Sequence, residues 1–169
     1  LEGTAILHHI SICAHQPAHV ARVLAEILGG TMIPFPGHEG CYMALALDEH
    51  GTLIEVLPET TVFMPGDLGE EAQFVDIARA QGHSPTHAAI SVALSPEEIC
   101  AIARREGWRC ERFSRGGGLF EVIELWLENR QMIELLPPAL AQTYLNFWSP
   151  ENLRRFLAEA APQPVGATR

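Results

Sequence analysis

The feature that most constrains this chain is an internal repeat. Residues Ile54-Glu55-Val56-Leu57-Pro58 return as Ile133-Glu134-Leu135-Leu136-Pro137, 79 positions later. Upstream, Leu7-His8-His9-Ile10-Ser11-Ile12 faces Pro85-Thr86-His87-Ala88-Ala89-Ile90 at an offset of 78, which matches His9 with His87. His9 precedes Glu55 by 46 residues, and His87 precedes Glu134 by 47. Two matches at nearly one offset mark a tandem duplication of a unit of about 55 residues, and such a unit buries its apolar face against its copy. The 169 residues therefore read as one domain, 1–169, made of two half-sites facing one cleft. Residues 5–58 form the first module, 59–84 a linker with a helix, 85–137 the second module, and 138–161 carboxyl-terminal helices.

Each copy reads strand, helix, then three strands. Ala5–Cys13 and Thr86–Leu94 are rich in Ile, Val, Ser and Ala with period-2 alternation, the signature of a half-buried strand. In the second copy Ser95-Pro96-Glu97-Glu98 starts a helix: serine at the N-cap, proline at N1, and Glu98 at N3 to complete a capping box. Ile99, Ile102 and Ala103 supply its buried stripe and Gly107 stops it. In the first copy Pro17 opens a helix with Val20, Val23, Leu24, Ile27 and Leu28 inward, ended by Gly29-Gly30. Strands follow at about Thr31–Phe35, Cys41–Leu47 and Thr52–Leu57, with counterparts at about Trp108–Phe113, Leu119–Leu127 and Gln131–Leu136. The hairpins turn at Asp48-Glu49-His50-Gly51 and Glu128-Asn129-Arg130. In the linker, Thr60–Gly66 reads as loop and Asp67–Gln81 as helix, with Leu68, Phe74, Ile77 and Ala78 apolar. After Pro137-Pro138 come one or two helices, the later starting at Ser149-Pro150-Glu151 and burying Leu153, Phe156 and Leu157. A tail after Pro162 is expected to fray. The fold class is α+β: two tandem β-α-β-β-β modules forming a curled mixed sheet around a cleft.

Charge and composition exclude several functions. The net charge is −10, from 21 acidic residues against 11 arginines, with no lysine. Such a chain has no general attraction for nucleic acid or an anionic membrane. Arg104, Arg105, Arg109, Arg112 and Arg115 are too mixed with glutamate to form a basic patch. No apolar run approaches the ~20 residues that span a bilayer. Cys13, Cys41, Cys100 and Cys110 show no CxxC pairing, and no signal-peptide pattern opens the sequence, which favours a reduced, cytoplasmic protein with free thiols.

The repeat sets four polar side chains at matching positions: His9, Glu55, His87 and Glu134. Glu134 lies within Met132-Ile133-Glu134-Leu135-Leu136 and Glu55 within Leu53-Ile54-Glu55-Val56-Leu57, runs that read as strands covered on both faces. Burying a carboxylate there costs several kcal/mol without a cation or several donors. No lysine exists to pair with either, and no arginine lies close in sequence. Two neutral imidazoles and two carboxylates would neutralise a divalent ion and supply four ligands. Alternation puts His9, Ser11 and Cys13 on one strand face, and His87, Ala89 and Ser91 on another, whereas His8 points the opposite way. Taken singly, each of the four reads as an ordinary core or edge residue. Their coincidence in two copies points to a metal site.

A double β-α-β-β-β unit with His in the first strand and Glu in the last strand of each copy resembles the vicinal oxygen chelate superfamily. That group includes glyoxalase I, methylmalonyl-CoA epimerase, extradiol dioxygenases, fosfomycin-resistance transferases and bleomycin-binding proteins. The resemblance rests on Leu7-His8-His9-Ile10, Leu53-Ile54-Glu55, Thr86-His87 and Met132-Ile133-Glu134, and spans residues 5–58 and 85–137. The His/Glu/His/Glu set looks most like glyoxalase I. That resemblance implies a divalent metal (Zn, Ni, Co, Mn or Fe) on His9, Glu55, His87 and Glu134, with Glu55 or Glu134 also the catalytic base. The implied reaction is of lyase or isomerase type: proton transfer on a small substrate with vicinal oxygens. Two departures stand out. Leu24-Ala25 replaces the Phe-Tyr of many members, and Cys13 stands where glyoxalase I has an arginine for glutathione, which argues against glutathione as co-substrate. The alternatives are an extradiol-type dioxygenase with a non-haem metal, which needs only two His and one carboxylate, and a metal-free small-molecule-binding protein. The expected partner is a small molecule, with a homodimer possible and the ligands meeting within one chain or across two.

Other candidates carry less. His15 and His19 at i, i+4 would chelate only if their helix started before Pro17. Arg115-Gly116-Gly117-Gly118 lacks the GK[ST] ending of a phosphate loop and reads as a hairpin loop. Glu124 and Trp126 share a strand face, as do Phe120 and Val122, with cleft and exterior both open for Glu124. Tyr144, Phe147 and Trp148 read as helix-packing aromatics.

Overall fold

Alternation along the chain builds the first module. In β1 (His9–Ala14) Ile12 and Ala14 are buried while His9 is exposed. The computed structural model describes residues 7–160 other than 70 and 81. Ala5, Ile6, Gln81 and the tail after Pro162 lie outside the described residues, as do the side chains of Phe156 and Leu157. After β1 comes α1 (Pro17–Leu28), whose Val20, Val23, Leu24 and Ile27 face inward. Its C-cap, Gly29, sits at φ 71°, the left-handed conformation that glycine adopts without strain. Strands β2 (Thr31–Pro34), β3 (Tyr42–Leu45) and β4 (Leu53–Pro58) complete a sheet of order β1-β4-β3-β2.

The second module repeats this plan. It comprises β7 (Ala89–Ser91), α2 (Pro96–Glu106), β8 (Arg109–Arg115), β9 (Phe120–Leu127) and β10 (Gln131–Leu136), in the order β7-β10-β9-β8. In each sheet the outer pair β1–β4 or β7–β10 is parallel and the other pairings are antiparallel. The register itself is duplicated: Ser11 pairs with Glu55, and Ala89 with Glu134. This is the architecture that the resemblance to the vicinal oxygen chelate superfamily implies. The capping box at Ser95 is formed, with Glu98 N–H donating to Ser95 Oγ (3.2 Å) and Ser95 N–H donating to Glu98 Oε2 (2.8 Å). Those bonds hold the Glu98 carboxyl below its usual range.

The linker departs from expectation. Where Asp67–Gln81 reads as a helix, β6 (Gln73–Asp76) pairs antiparallel with β5 (Thr61–Met64). Phe74 lies directly across from Phe63, with ring centroids 4.7 Å apart, and stacks on His38 at 4.8 Å. Aromatic cross-strand pairing of this kind outweighs a helical apolar spacing in which Leu68 is fully exposed. Two helices follow at the Pro-Pro step as expected, α3 (Pro138–Phe147) and α4 (Pro150–Ala160), with Leu153 half-buried. No helix among the described residues is long and apolar enough to cross a membrane.

One apolar core runs through both modules, joining Val20, Leu24, Ile54 and Val56 of the first to Ile99, Ile123, Leu125 and Ile133 of the second. Burying each such aliphatic side chain contributes about 1.5–3 kcal/mol. Charged contacts fix the two modules at their rim. Arg105 forks onto Glu26 at 2.9 and 2.7 Å, and His19 Nε2 lies 2.7 Å from Glu106. Gln16, the N-cap of α1, makes no capping bond with its own side chain. Glu128 of the second module accepts the His15 and Gln16 backbone N–H groups just ahead of the helix, at 2.6 and 2.8 Å, and sets a negative charge at its N-terminus.

Candidate functional site

The sheet face opposite each helix carries the residues that chemistry could use. On the first sheet these are His9, Ser11 and Cys13 of β1 with Leu53, Glu55 and Leu57 of β4, set by strand alternation and a parallel register. Ser11 faces Glu55 directly, and its hydroxyl donates to Glu55 Oε2 at 2.6 Å. His9 pairs one step away, with Leu53, and is exposed.

On the second sheet the equivalent of Ser11 is Ala89, which has no hydroxyl to offer Glu134. Across the antiparallel β9–β10 pair, Glu134 instead faces Glu124. Two carboxylates placed directly opposite repel each other and need a cation. Arg115, at the end of β8, supplies it. Its guanidinium pairs with Glu124, and its Nε lies 3.6 Å from Glu134 Oε1. Trp126 Nε1–H adds a 3.2 Å bond to Glu124, and the Arg115 guanidinium lies 5.5 Å from the centre of the Phe113 ring. Both glutamate side chains are nearly buried, at 14% and 13% exposure, while Arg115 is one-third exposed. His87 precedes the short strand β7, is exposed, and places Nδ1 2.9 Å from the Pro85 carbonyl.

The carboxylates therefore have partners within the chain. Glu134 was expected to need a metal because no arginine is near it in sequence, yet the sheet brings Arg115 alongside. Glu55 has the Ser11 hydroxyl. Glu55 and Glu134 occupy equivalent places in the two modules, while His9 lies within β1 and His87, expected in a strand from Thr86, stands just before β7. Among the described residues, however, no three His, Cys, Asp or Glu side chains converge as a metal ion requires. Within one chain, His9, Glu55, His87 and Glu134 are not brought together as one group.

A cleft of about 260 Å3 opens where the modules meet, lined by Ser11, Cys13, Thr61, Phe63, Ser84 and Arg130 among others. At its edge Arg130 pairs with Glu59, whose other oxygen lies 3.1 Å from His15 Nδ1. Burial, helped by the Glu59 charge, pushes the Cys13 thiol up. Burial with the charges of Glu55 and Asp76 pushes Cys41 up to about 11. Neither thiol is an activated nucleophile near neutrality. Beyond the Arg115 cluster, α3 lies against the same face of the second sheet. Phe120 meets Tyr144 and Phe147 at 5.2 and 5.1 Å, the packing role expected of these aromatics.

The lesser candidates resolve as well. His15 and His19 go to different carboxylates, Glu59 and Glu106, and α1 starts at Pro17, so they form no chelating pair. Gly116, Gly117 and Gly118 all have positive φ in the β8–β9 turn, as a hairpin loop requires. Glu124 lies on the Glu134 face rather than on the exterior. Read from the sequence alone, Arg115 belongs to a loop. The alternation Arg109, Glu111, Phe113, Arg115 carried the signal that it shares a face with Glu124.

No protein-family model matches the chain, and no curated protein matches it. Among solved structures the chain is similar to a genomically encoded fosfomycin resistance protein, FosX, from Listeria monocytogenes. That match has 16% identity and a TM-score of 0.48, over 78% of this chain and 92% of that one. It is also similar to the trypanothione-dependent glyoxalase I of Leishmania major, at 14% identity and a TM-score of 0.47, over 92% and 97% of the two chains. A lactoylglutathione lyase from Agrobacterium tumefaciens matches at 8% identity and a TM-score of 0.49, over 79% and 94%.

Proposed function

We propose that this chain binds a small polar molecule in the cleft between its two β-α-β-β-β modules, and that a single chain does so without a metal ion. The observation that carries this reading is the internal satisfaction of both site carboxylates, Glu134 by Arg115 and Glu55 by Ser11. A carboxylate that already has a cation or a hydroxyl donor gains less from a metal, because part of its charge is already compensated. The cleft is at the small end for a ligand site and is walled by Ile12, Leu57, Val62 and Phe63 together with hydroxyls and the Arg130–Glu59 pair, which suits a ligand of few atoms that carries polar groups. The test has two arms: metal analysis of protein purified without chelator, and thermal unfolding against a panel of small hydroxy acids, polyols and amines. Substoichiometric metal is expected. A saturating ligand at about 100 times its Kd adds ~2.7 kcal/mol, a rise of roughly 5–10 °C in Tm. Ser84→Phe, which obstructs the cleft, should abolish the rise.

A second reading is a metal-dependent lyase or isomerase in which His9 and Glu55 of one chain meet His87 and Glu134 of another, with Glu55 or Glu134 moving the proton. The exposure of both histidines, and the equal register of Ser11 with Glu55 and of Ala89 with Glu134 two residues after each histidine, favour it. One tightly bound divalent ion per site, lost in His87→Ala together with turnover, would establish it in place of the first reading. Oxygen uptake with a catechol would instead indicate the dioxygenase.

A further inference from the structure

Cys100 on α2 and Cys110 on β8 bring their sulfurs to 3.8 Å, although they belong to different elements. Both are half-buried, so a small reagent reaches them, and they are separated by 10 positions in the chain. A disulfide needs its sulfurs near 2.05 Å, a closure of under 2 Å from where these two lie. We propose that Cys100 and Cys110 form an oxidisable dithiol, an intramolecular modification site that takes a low-molecular-weight disulfide as its oxidant.

The order of steps follows from the surroundings. Burial, with Cys100 beside it, pushes the Cys110 thiol up to about 12, so Cys110 is the slower nucleophile. Cys100 thiolate attacks one sulfur of the small disulfide, whose S–S bond breaks and releases one thiolate. Cys110 then attacks Cys100 Sγ in the mixed disulfide, expelling the second small thiolate, which takes up the Cys110 proton. The two protein thiols lose two electrons and two protons, and the oxidant leaves as two thiols.

The bond ties α2 to β8, an edge strand of its sheet. Cys110 sits on the helix side of β8, and Arg115 on the opposite face, by strand alternation. Closing a loop of about 11 residues shifts the folding equilibrium toward the native state by about a hundredfold in the chain-entropy account. Cys13 and Cys41 belong to the other module, and Cys41 is buried.

The test incubates the full chain with glutathione disulfide at pH 8, then alkylates remaining thiols in denaturant and measures intact mass. The expected product has lost two alkylatable thiols, carries no glutathione, and yields a Cys100–Cys110 linked peptide. Its urea midpoint rises and returns on reduction. Cys110→Ser should stop at the Cys100–glutathione adduct, and Cys100→Ser should leave Cys110 alkylatable. Wild-type protein with both thiols still alkylatable, or with the bond formed between chains or to Cys13, overturns the proposal without requiring either variant to fold.

Discussion

Arg115→Met is the sharpest probe of the second sheet. The substitution keeps most of the side chain's length and removes its charge from between Glu124 and Glu134. Unit charges at 3.6 Å, the Arg115–Glu134 distance, attract by roughly 4–5 kcal/mol at an effective dielectric of about 20. Desolvation offsets much of that, and Arg115 is one-third exposed, so solvent screens more. The net loss should be about 1–2 kcal/mol, read as a fall of about 3–6 °C in Tm or as a lower urea midpoint with unchanged slope. A double-mutant cycle isolates the cause. In a Glu124→Gln background the opposed carboxylates no longer repel and the stronger ion pair is already absent, so Arg115→Met should cost about 1 kcal/mol less. Equal costs in both backgrounds would refute the view that Arg115 serves as the cation for this carboxylate pair.

Two glycines and one carboxylate give further tests. A Cβ at Gly30 would stand 1.8 Å from the Leu45 carbonyl oxygen, so Gly30→Ala should cost upwards of about 3 kcal/mol or prevent folding. Gly29→Ala, where φ is +71° but the space is open, should cost only about 1 kcal/mol, both read by urea unfolding. Burial alone would raise the Glu106 carboxyl, but bonds from Arg105 and His19 hold it below its usual range. The unfolded chain therefore binds the proton more tightly, and this contribution to stability is present above about pH 4.5 and lost as the pH falls through the folded value. Glu106→Gln should flatten that part of the acid-unfolding curve, and an unchanged slope between pH 5 and 3 would show that the junction does not depend on it.

What could be read without the structure was local or repeated. Ser95-Pro96-Glu97-Glu98 determines the start of α2 because every bond of the capping box joins residues three apart. Gly29 and Gly107 determine helix ends because only the backbone conformation of one residue is at stake. Asp67–Gln81 could not be read this way. Its fate hangs on Phe74 meeting Phe35, His38 and Phe63, partners distributed from residue 35 to residue 63.

The same division separates the fold from the site. The duplicated motifs, by themselves, determined that there are two modules, that they share one strand order, and that Glu55 and Glu134 occupy matching positions. Pattern and period act along one chain segment at a time, and a duplication shows in any such segment. Only the tertiary structure decided what partners those carboxylates. Ser11 reaches Glu55 because β1 lies beside β4, and Arg115 reaches Glu134 across β9. Charge pairing depends on distance in space. In a folded sheet, residues far apart in the chain become neighbours a few ångströms apart, so the cation missing from the local sequence arrived from a strand two places away.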